Sequence, residues 1–248
     1  MSDYRIERRE TVASTMDAAR ERAAEGAAEG IWIIADRQTE GRGRQGRVWR
    51  SGASGNLTAS LLLRPKRTPA ETATLSFIAA LAVVDALRAL GLGASIALKW
   101  PNDVLVEGEK IAGLLLEAGG GEAGAWLVLG VGVNLASAPD VDELTDAAAR
   151  PTALSRHGVD AAPEAALAAL APAFAARYGR WRAEGFAGQR DEWLAQAAGL
   201  GAPLIAKSGA EEISGVFEDV DEDGALVLKT GTTRRRVHAA DVYFPGAV

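Results

Sequence analysis

The segment from Thr72 to Leu90 constrains the fold most strongly, because its apolar residues recur at the spacing of a helix. They stand at positions 75, 78, 79, 82, 83, 86, 87 and 90, a pattern that predicts a helix with a wide buried face. A second long helix is predicted from Ala165 to Ala198, where Pro172 is expected to start, kink or break the helical run. A shorter helix is predicted from Met16 to Glu29, because a serine or threonine just before it can cap its first turn.

Short apolar runs between these segments predict the strands of a sheet, and their apolar content indicates that at least one face is covered. The runs are Ile31–Ile34, Leu57–Leu63, Ser95–Trp100, Ile111–Glu117 and Trp126–Leu135. From Ala202 onward, shorter strand-like runs alternate with Asp/Gly turns, which predicts a small all-β domain with a barrel-like character. Its predicted strands are Ile213–Phe217, Ala225–Leu228, Arg235–Val237 and Val242–Phe244.

The composition of the 248 residues excludes several classes of function. The chain has no cysteine, so disulfides, zinc–thiolate sites and thiol nucleophiles are ruled out. Its formal net charge of -6 argues against a general nucleic-acid binder. The polar N-terminus lacks the apolar run of a signal peptide, and no stretch of 18 apolar residues indicates a membrane span. We therefore expect a cytoplasmic protein with one medium domain and a small second one.

The most informative stretch is an arginine- and glycine-rich segment from Gly41 to Trp49, inside a predicted loop that spans Arg37–Gly55. It formally matches G-x-G-x-x-G, but arginines interrupt the glycines and no helical pattern follows at once, so it fails the context of a dinucleotide site. Glycines let a backbone fold closely over a ligand, and arginines supply planar charged groups for carboxylate or phosphate. The segment therefore predicts a flexible cationic flap. A solvated basic loop and an RGG-like nucleic-acid segment stay open as alternatives.

Two lysines stand at predicted strand ends, Lys99 in the run K-W-P-N-D and Lys110 in the run K-I-A-G. A hairpin-like turn at residues 107–109 is expected to place these lysines on neighbouring strands. Together with Trp100 and Asn102 beside them, they favour a functional site over a solvated surface. Asp103 is interpreted as a turn residue in preference to a magnesium contact.

These segments occur in the order and spacing found in biotin protein ligases, which the chain resembles. The segments that carry the resemblance are Ser14-Thr15-Met16, Gln38 with Gly41–Trp49, Lys99–Asp103, Lys110–Gly113 and Gly130–Asn134. The resemblance is close from Thr11 to Leu135 and looser from about Ala202. It implies an α+β protein, with a mixed-sheet catalytic domain of the class II aminoacyl-tRNA synthetase and biotin-ligase type over residues 1–200. A small SH3-like β-barrel is implied over residues 201–248.

The resemblance also implies roles for particular residues. Lys110 and Arg44 match the catalytic positions, with Lys110 at the biotin carboxylate and the α-phosphate. Biotin binding is expected from Ser14, Thr15, Met16, Gln38, Arg42, Gly43, Arg44 and Lys110. ATP binding is expected from Arg44, Trp49, Lys99, Asn102 and Asn134. Met16 stands where some members have asparagine and Gln45 where some have arginine, which removes one polar side chain and one flap charge.

The activity implied by the resemblance is an ATP- and Mg²⁺-dependent ligase reaction. Biotin would be activated to biotinyl-5'-AMP and transferred to a lysine of a biotin carboxyl carrier protein, or of the carrier domain of a biotin-dependent carboxylase. A lipoate or octanoate ligase or transferase on the same fold and a non-enzymatic biotin-sensing module are the alternatives. Only thirteen residues precede Ser14, too few for a helix-turn-helix, and the net charge is acidic, so DNA is not expected as a partner. A membrane is not expected either, because no run of 18 apolar residues occurs. The metal ligands and the oligomeric state are left open.

Overall fold

Two β-sheets carry the chain, of which the computed structural model describes residues 4–50, 54–122, 124–140 and 149–245. The first sheet contains β1 (Arg5–Val12), β2 (Ile31–Gln38), β3 (Leu57–Leu63), β4 (Ile96–Lys99), β5 (Asp103–Val106), β6 (Glu109–Gly119) and β7 (Trp126–Val133). Their order across the sheet is β1-β2-β3-β7-β6-β5-β4. The strands β1 and β2 pair in parallel and the other neighbours are antiparallel, so the predicted mixed sheet is confirmed.

Helices cover both faces of this sheet. They are α1 (Thr15–Ala24), α2 (Pro69–Ala73), α3 (Leu75–Ala89), α4 (Pro163–Glu184) and α5 (Ala187–Leu194). Side chains of β3 alternate between the two faces, because Leu61 and Leu63 join the core beneath α3 and α4, whereas Leu62 joins Met16 beneath α1. All seven residues of β3 are buried as a result.

Two of the predicted helices form with changed ends. Ser14 caps the first, since its Oγ accepts from the Met16 N–H at 3.2 Å, but the helix ends at Ala24 and not at Glu29. The chain leaves the helix there to enter β2. The apolar run 72–90 is confirmed as α2 and α3, which meet at Thr74.

Pro172 neither starts nor breaks a helix, contrary to two of the three expectations for it. It lies inside α4, which runs on to Glu184, and the break between α4 and α5 falls at Gly185. A proline inside a helix costs about 3 kcal/mol. The buried face of α4 offsets this cost by packing large rings into the core, namely Phe174, Tyr178 and Trp181.

Three strands were missed by the sequence patterns. The edge strand β1 reads R-I-E-R-R-E-T-V and buries only Glu7, so it carries no apolar signal. Glu7 instead receives ion pairs from Arg5, Arg9 and Arg22. The strand β5 is only four residues long, and the first strand of the C-terminal sheet begins at Pro203, where no apolar alternation is evident.

The second sheet is antiparallel and has five strands, in agreement with the predicted all-β C-terminal region. They are β8 (Pro203–Ser208), β9 (Glu211–Val220), β10 (Leu226–Thr230), β11 (Thr233–Val237) and β12 (Asp241–Tyr243). Their order is β11-β10-β9-β8-β12. The division of the chain at residue 200 stays a prediction.

The C-terminal sheet is packed firmly against the larger one. Trp100 Nε1 donates a buried hydrogen bond of 3.0 Å to the carbonyl of Gly224, in the turn between β9 and β10. Phe217 and Leu226 belong to the same apolar core as Phe77 of α3. The position of the C-terminal sheet is therefore fixed by apolar packing as well as by polar contacts.

The segment Pro69–Ala89 has the length and hydropathy of a membrane-spanning helix, although no run of 18 apolar residues occurs in the sequence. In the folded chain 72% of its most apolar window is buried inside the protein. Its apolar residues are used in the core beneath the sheet, as in the central helix of many globular domains.

We expect Gly224→Ala to destabilise the protein more than Gly209→Ala. Both glycines have positive φ, 81° and 59°, so alanine strains each by about 1–2 kcal/mol. At Gly224 a Cβ would also stand 2.5 Å from Cε2 of Phe77, whereas nothing lies within 4 Å at Gly209. Such overpacking adds about 1–3 kcal/mol. Urea unfolding measures the difference, and equal losses would contradict the contact between the C-terminal turn and α3.

Candidate active site

A cavity of about 250 Å³ lies between the flap, the strands β4 to β7 and the C-terminal sheet. Its charged lining residues, as far as the structure describes them, are Arg44, Arg47, Arg50, Lys99, Lys110, Asp103 and Asp241. Five cations thus face two carboxylates, in a chain whose formal net charge is -6. This local surplus of positive charge suits the cavity to an anionic ligand.

Lys99, the last residue of β4, lines the cavity although it is only 3% exposed. Burial lowers the pKa of Lys99 to about 8, and the nearby Asp103 carboxylate acts in the opposite direction. The Nζ atom also lies 5.8 Å from the ring centroid of Phe244. At neutral pH the ammonium is therefore held in a poorly hydrated place, where an arriving anion is stabilised more than in water.

Lys110 is held by a carboxylate, because its Nζ lies 2.6 Å from Oδ1 of Asp103. The prediction that Lys99 and Lys110 stand on neighbouring strands is wrong, since β5 lies between β4 and β6 and carries Asp103 at its start. The run Val104–Val106 is apolar enough to form a strand of its own. Asp103 is consequently not the turn residue that we predicted, but a strand residue between two lysines.

The indole of Trp49 lies on a floor without side chains. Gly113 of β6 and Gly132 of β7 are cross-strand partners beneath it. A Cβ at Gly132 would overlap the indole, and a Cβ at Gly113 would stand 2.9 Å from Cζ3. The Lys110 Nζ lies 5.8 Å from the ring centroid. These two glycines are therefore explained by the close approach of the ring.

Three polar atoms at the cavity are buried with no hydrogen-bond partner among the described residues, Nε1 of Trp49, Oδ1 of Asn134 and Oδ1 of Asp103. The Asp103 oxygen has its ion pair with Lys110, whereas the atoms of Trp49 and Asn134 are left without a partner among these residues. The other end of the Asn134 amide is used, because its Nδ2 donates to the carbonyl of Thr152 at 3.0 Å. Asn102 lines the same cavity, and its Nδ2 donates to the carbonyl of Leu114 at 2.5 Å. Since proteins rarely leave buried polar atoms unpaired, the two unpartnered atoms are candidates for ligand contacts.

A second polar cluster lies on the same face of the sheet, beneath α1. The N–H and Oγ1 of Thr15 donate to Oε1 of Gln38 at 2.8 and 3.0 Å, and Thr15 Oγ1 lies 2.8 Å from Ser60 Oγ. Met16 packs over Gly130, which is two residues, or about 7 Å, along β7 from the glycine beneath Trp49. This polar cluster and the cavity therefore lie at the two ends of one continuous row of residues on this face of the sheet.

The flap spans this row and is held at both ends by carboxylates. Arg42 donates two hydrogen bonds, of 2.7 and 3.1 Å, to Asp17 of α1. Arg47 forms an ion pair with Asp241 of β12. Arg44 lies between these anchors and lines the cavity.

The structure brings all five predicted ATP-site residues into the lining of one cavity, together with Gly43 and Lys110, which were predicted to bind biotin. The cavity lining includes Gly43, Arg44, Trp49, Lys99, Asn102, Lys110 and Asn134. The predicted biotin residues outside this lining are Ser14, Thr15, Met16, Gln38 and Arg42. Sequence reasoning missed Asp241, because no local pattern distinguishes it from other acidic residues of the C-terminal sheet. Gly132 belongs to the segment Gly130–Asn134 that carries the resemblance, but no role was predicted for it.

Comparisons with known proteins decide the family. Residues 9–134 match the family model described as biotin/lipoate A/B protein ligase, and residues 199–244 match that of the biotin protein ligase C terminal domain. A biotin–[acetyl-CoA-carboxylase] ligase of Paracoccus denitrificans is 46% identical over 232 residues, which are 90% of this chain and 94% of that protein. The chain belongs to the biotin/lipoate A/B protein ligase family.

Two solved biotin protein ligases share its architecture. The enzyme of Aquifex aeolicus in complex with biotin and ATP aligns with a TM-score of 0.83 and 25% identity, over 97% of this chain and 99% of that chain. The enzyme of Leishmania major in complex with biotinyl-5-AMP aligns with a TM-score of 0.62 and 25% identity, over 95% and 99%. In this member of the ligase family, the predicted site residues all fall within the match over residues 9–134.

The burial of Lys99 predicts a distinctive pH dependence of stability. Below pH 8 the lysine is protonated in both the folded and the unfolded protein, so it contributes no pH dependence. Between pH 8 and 10.5 the unfolded chain still binds the proton and the folded protein does not, so stability rises with pH. Relative to Lys99→Met, the wild type should gain about 3 kcal/mol across this window.

Denaturant unfolding at several pH values, on the wild type and Lys99→Met, measures this gain. Lys229→Met, which removes an exposed lysine of β10, is the control for the loss of a lysine in general. A constant difference between wild type and Lys99→Met from pH 7 to 10.5 would contradict the lowered pKa.

Proposed function

We propose that this chain is a biotin–protein ligase, which converts biotin and ATP into biotinyl-5'-AMP and diphosphate and then transfers biotin to a carrier lysine. The observation that carries the proposal is the position of Lys110. It lies where the cation-lined cavity meets the floor beneath Trp49, and Asp103 holds it there. The 46% identical relative is a biotin–[acetyl-CoA-carboxylase] ligase, and the Aquifex aeolicus structure holds biotin and ATP together.

The first step joins two anions, which explains the need for Lys110. A carboxylate oxygen of biotin attacks the α-phosphorus of ATP, and the bond to the diphosphate oxygen breaks. Two unit charges 4 Å apart repel by about 4 kcal/mol at an effective dielectric constant of about 20. An ammonium between them offsets this repulsion and stabilises the charge of the transition state. No general base is required, because the carboxylate is already ionised.

The nucleotide is expected to occupy the cavity. Lys99 and Arg44 supply charge for its phosphates, while Asn102, Asn134 and the indole of Trp49 contact its remaining parts. Diphosphate leaves with its negative charge, so the same cations stabilise the leaving group. The unpartnered Oδ1 of Asn134 and Nε1 of Trp49 support this assignment, since a bound ligand would satisfy both.

Mg²⁺ is expected to arrive with ATP. Within the described ranges, no group of three or more histidine, aspartate or glutamate side chains forms a metal site. Mg²⁺ in nucleotide sites is commonly held by phosphates, waters and one or two protein oxygens, and the buried Oδ1 of Asn134 fits such an oxygen. When bound, the ion would neutralise phosphate charge.

Biotin is expected to lie along the row from the polar cluster to Lys110. Its ureido ring offers both donors and an acceptor, which suits Ser14, Thr15 and Gln38 at the far end. Met16 and the Trp49 ring, which cover the glycines of the sheet, suit its apolar part, and the carboxylate then reaches Lys110. Arg42, Gly43 and Arg44 of the flap would close over it and keep water from the acyl-adenylate.

In the second step the ε-amino group of a carrier lysine attacks the acyl carbon and AMP leaves. The carrier is proposed to be a biotin carboxyl carrier protein or domain, as the name of the Paracoccus denitrificans relative indicates for that enzyme.

The antiparallel order of β8 to β12 supports an SH3-like barrel at the C-terminal end. The use of ATP fits a cytoplasmic location.

The alternative substrates are lipoate or octanoate, because the matched family includes lipoate ligases. We expect biotin, and neither lipoate nor octanoate, to yield an acyl-adenylate with this chain, ATP and Mg²⁺. The polar cluster at Thr15 and Gln38 is suited to a ureido ring and has no partner in a plain acyl chain. Mass spectrometry of the acyl-adenylate with each acid decides. Adenylation of lipoate without that of biotin would refute the proposal, and no adenylate with any of them would favour a sensing module.

Replacing Lys110 with alanine is expected to reduce biotinyl-5'-AMP formation by at least about a hundredfold. Loss of one preorganised electrostatic contact to a transition state typically costs about 10²–10³ in rate. Diphosphate release under saturating biotin and ATP is the measurement, with circular dichroism to establish that the variant is folded. Lys66→Ala, at an exposed lysine away from the cavity, is the matched control. Near wild-type turnover of Lys110→Ala would transfer this role to Lys99.

A further inference from the structure

The flap meets the C-terminal sheet at one acidic residue, Asp241. The guanidinium of Arg47 forms an ion pair with its carboxylate, and Nη1 of Arg44 lies 3.9 Å from Oδ1. Nη1 of Arg44 also donates to the neighbouring carbonyl of Ala240 at 3.3 Å. Two of the flap arginines are thus attached to a part of the chain almost two hundred residues away.

The position of this carboxylate is fixed by its neighbours. Asp241 begins β12, which pairs with β8, and its flanking residues Ala240 and Val242 are 0% and 2% exposed. The Asp241 side chain itself is 14% exposed and lines the cavity. With a buried anchor on each side, the carboxylate is aimed at the flap by the packing of the C-terminal sheet.

The Asp241 carboxylate opposes anion binding in the cavity by its own charge. Its charge repels phosphate, so by Coulomb attraction alone the cavity would bind ATP more tightly without it. The flap, however, is rich in glycine, and fixing each of its residues costs about 1–2 kcal/mol of backbone entropy. A fixed carboxylate that already holds two guanidinium groups reduces the ordering that remains to be done when the nucleotide binds.

We propose that Asp241 is a positioning residue, through which the C-terminal sheet sets Arg44 and Arg47 over the nucleotide end of the cavity. It does not contact the reacting atoms and acts through the arginines. The identity of the nucleotide in this inference rests on the proposed function. The placement of the flap by Asp241 is independent of that function. Burial lowers the pKa of Arg44, and the Asp241 carboxylate opposes this, so the carboxylate also favours the charged form of that guanidinium.

The test compares Asp241→Asn, Asp241→Glu and Arg47→Ala with the wild type. Affinity is measured by calorimetry for an ATP analogue with a methylene group between the α and β phosphorus atoms, which cannot release diphosphate. Hydrogen exchange over residues 41–49 reports the order of the flap. The matched control is Asp223→Asn, at a 58% exposed aspartate of the same sheet that pairs with Arg236.

We expect Asp241→Asn to bind the analogue at least tenfold more weakly and to exchange faster over residues 41–49. Asp241→Glu should restore part of the affinity, and Asp223→Asn should behave as wild type. In the Arg47→Ala background, Asp241→Asn should add less than twofold, because Arg47 is the nearer of the two arginines through which the carboxylate acts. Arg47 is 38% exposed at its side chain, so this variant supports the test even if Asp241→Asn unfolds.

Unchanged or tighter binding by Asp241→Asn with unchanged exchange would overturn the inference and leave simple charge repulsion as the effect of Asp241. Wild-type affinity and exchange in Arg47→Ala would overturn it as well, because the carboxylate is proposed to act through that arginine. Failure of the wild type to adenylate biotin would refute the proposed function alone, because the nucleotide affinity and the flap exchange are measured with the ATP analogue in the absence of any acid.

Discussion

The pairing of β6 with β7 is the constraint on which the site depends. The register places Gly113 directly opposite Gly132, and together they leave a gap between side chains on one face of the sheet. The Trp49 ring enters this gap and brings the end of the flap down onto the sheet. A shift of the register by one residue would place Leu114 beside Gly132 and turn a buried core side chain toward the flap.

Ion pairs hold several of the charged side chains that line the cavity above the sheet. Each of the two carboxylates in the cavity lining is joined to cations, Asp103 to Lys110 and Asp241 to Arg47. Such pairs hold flexible side chains in one place at a cost in desolvation that the pair partly recovers. Lys99 is buried at the end of β4, with the Asp103 carboxylate nearby. The cavity lining therefore draws its cations from three places, the end of β4, the strand β6 and the arginine-rich flap.

Local patterns predicted the parts of the fold that depend on local contacts. The strand Leu57–Leu63 and the helical run 72–90 are buried and apolar, so their spacing alone marked them. The strand β1 was missed because its burial is confined to Glu7, whose charge is neutralised by Arg5 and Arg9 of the same strand and by Arg22 of α1. The prediction that Lys99 and Lys110 stand on neighbouring strands was wrong, because the four-residue β5 between them is too short to be recognised as a strand. Asp241 lay beyond prediction, since its role depends on where a second sheet packs.

The C-terminal sheet also has a consequence for the order in which the molecule is made. Asp241 and Val242 form part of the cavity wall, and the ring of Phe244 lies beside Lys99. During synthesis on the ribosome, the sheet β1 to β7 and its helices emerge well before these residues. A nascent chain therefore exposes a cavity that lacks one wall, with Arg47 and Lys99 still open to water. The pocket reaches its final shape only when the last strand has left the exit tunnel and paired with β8.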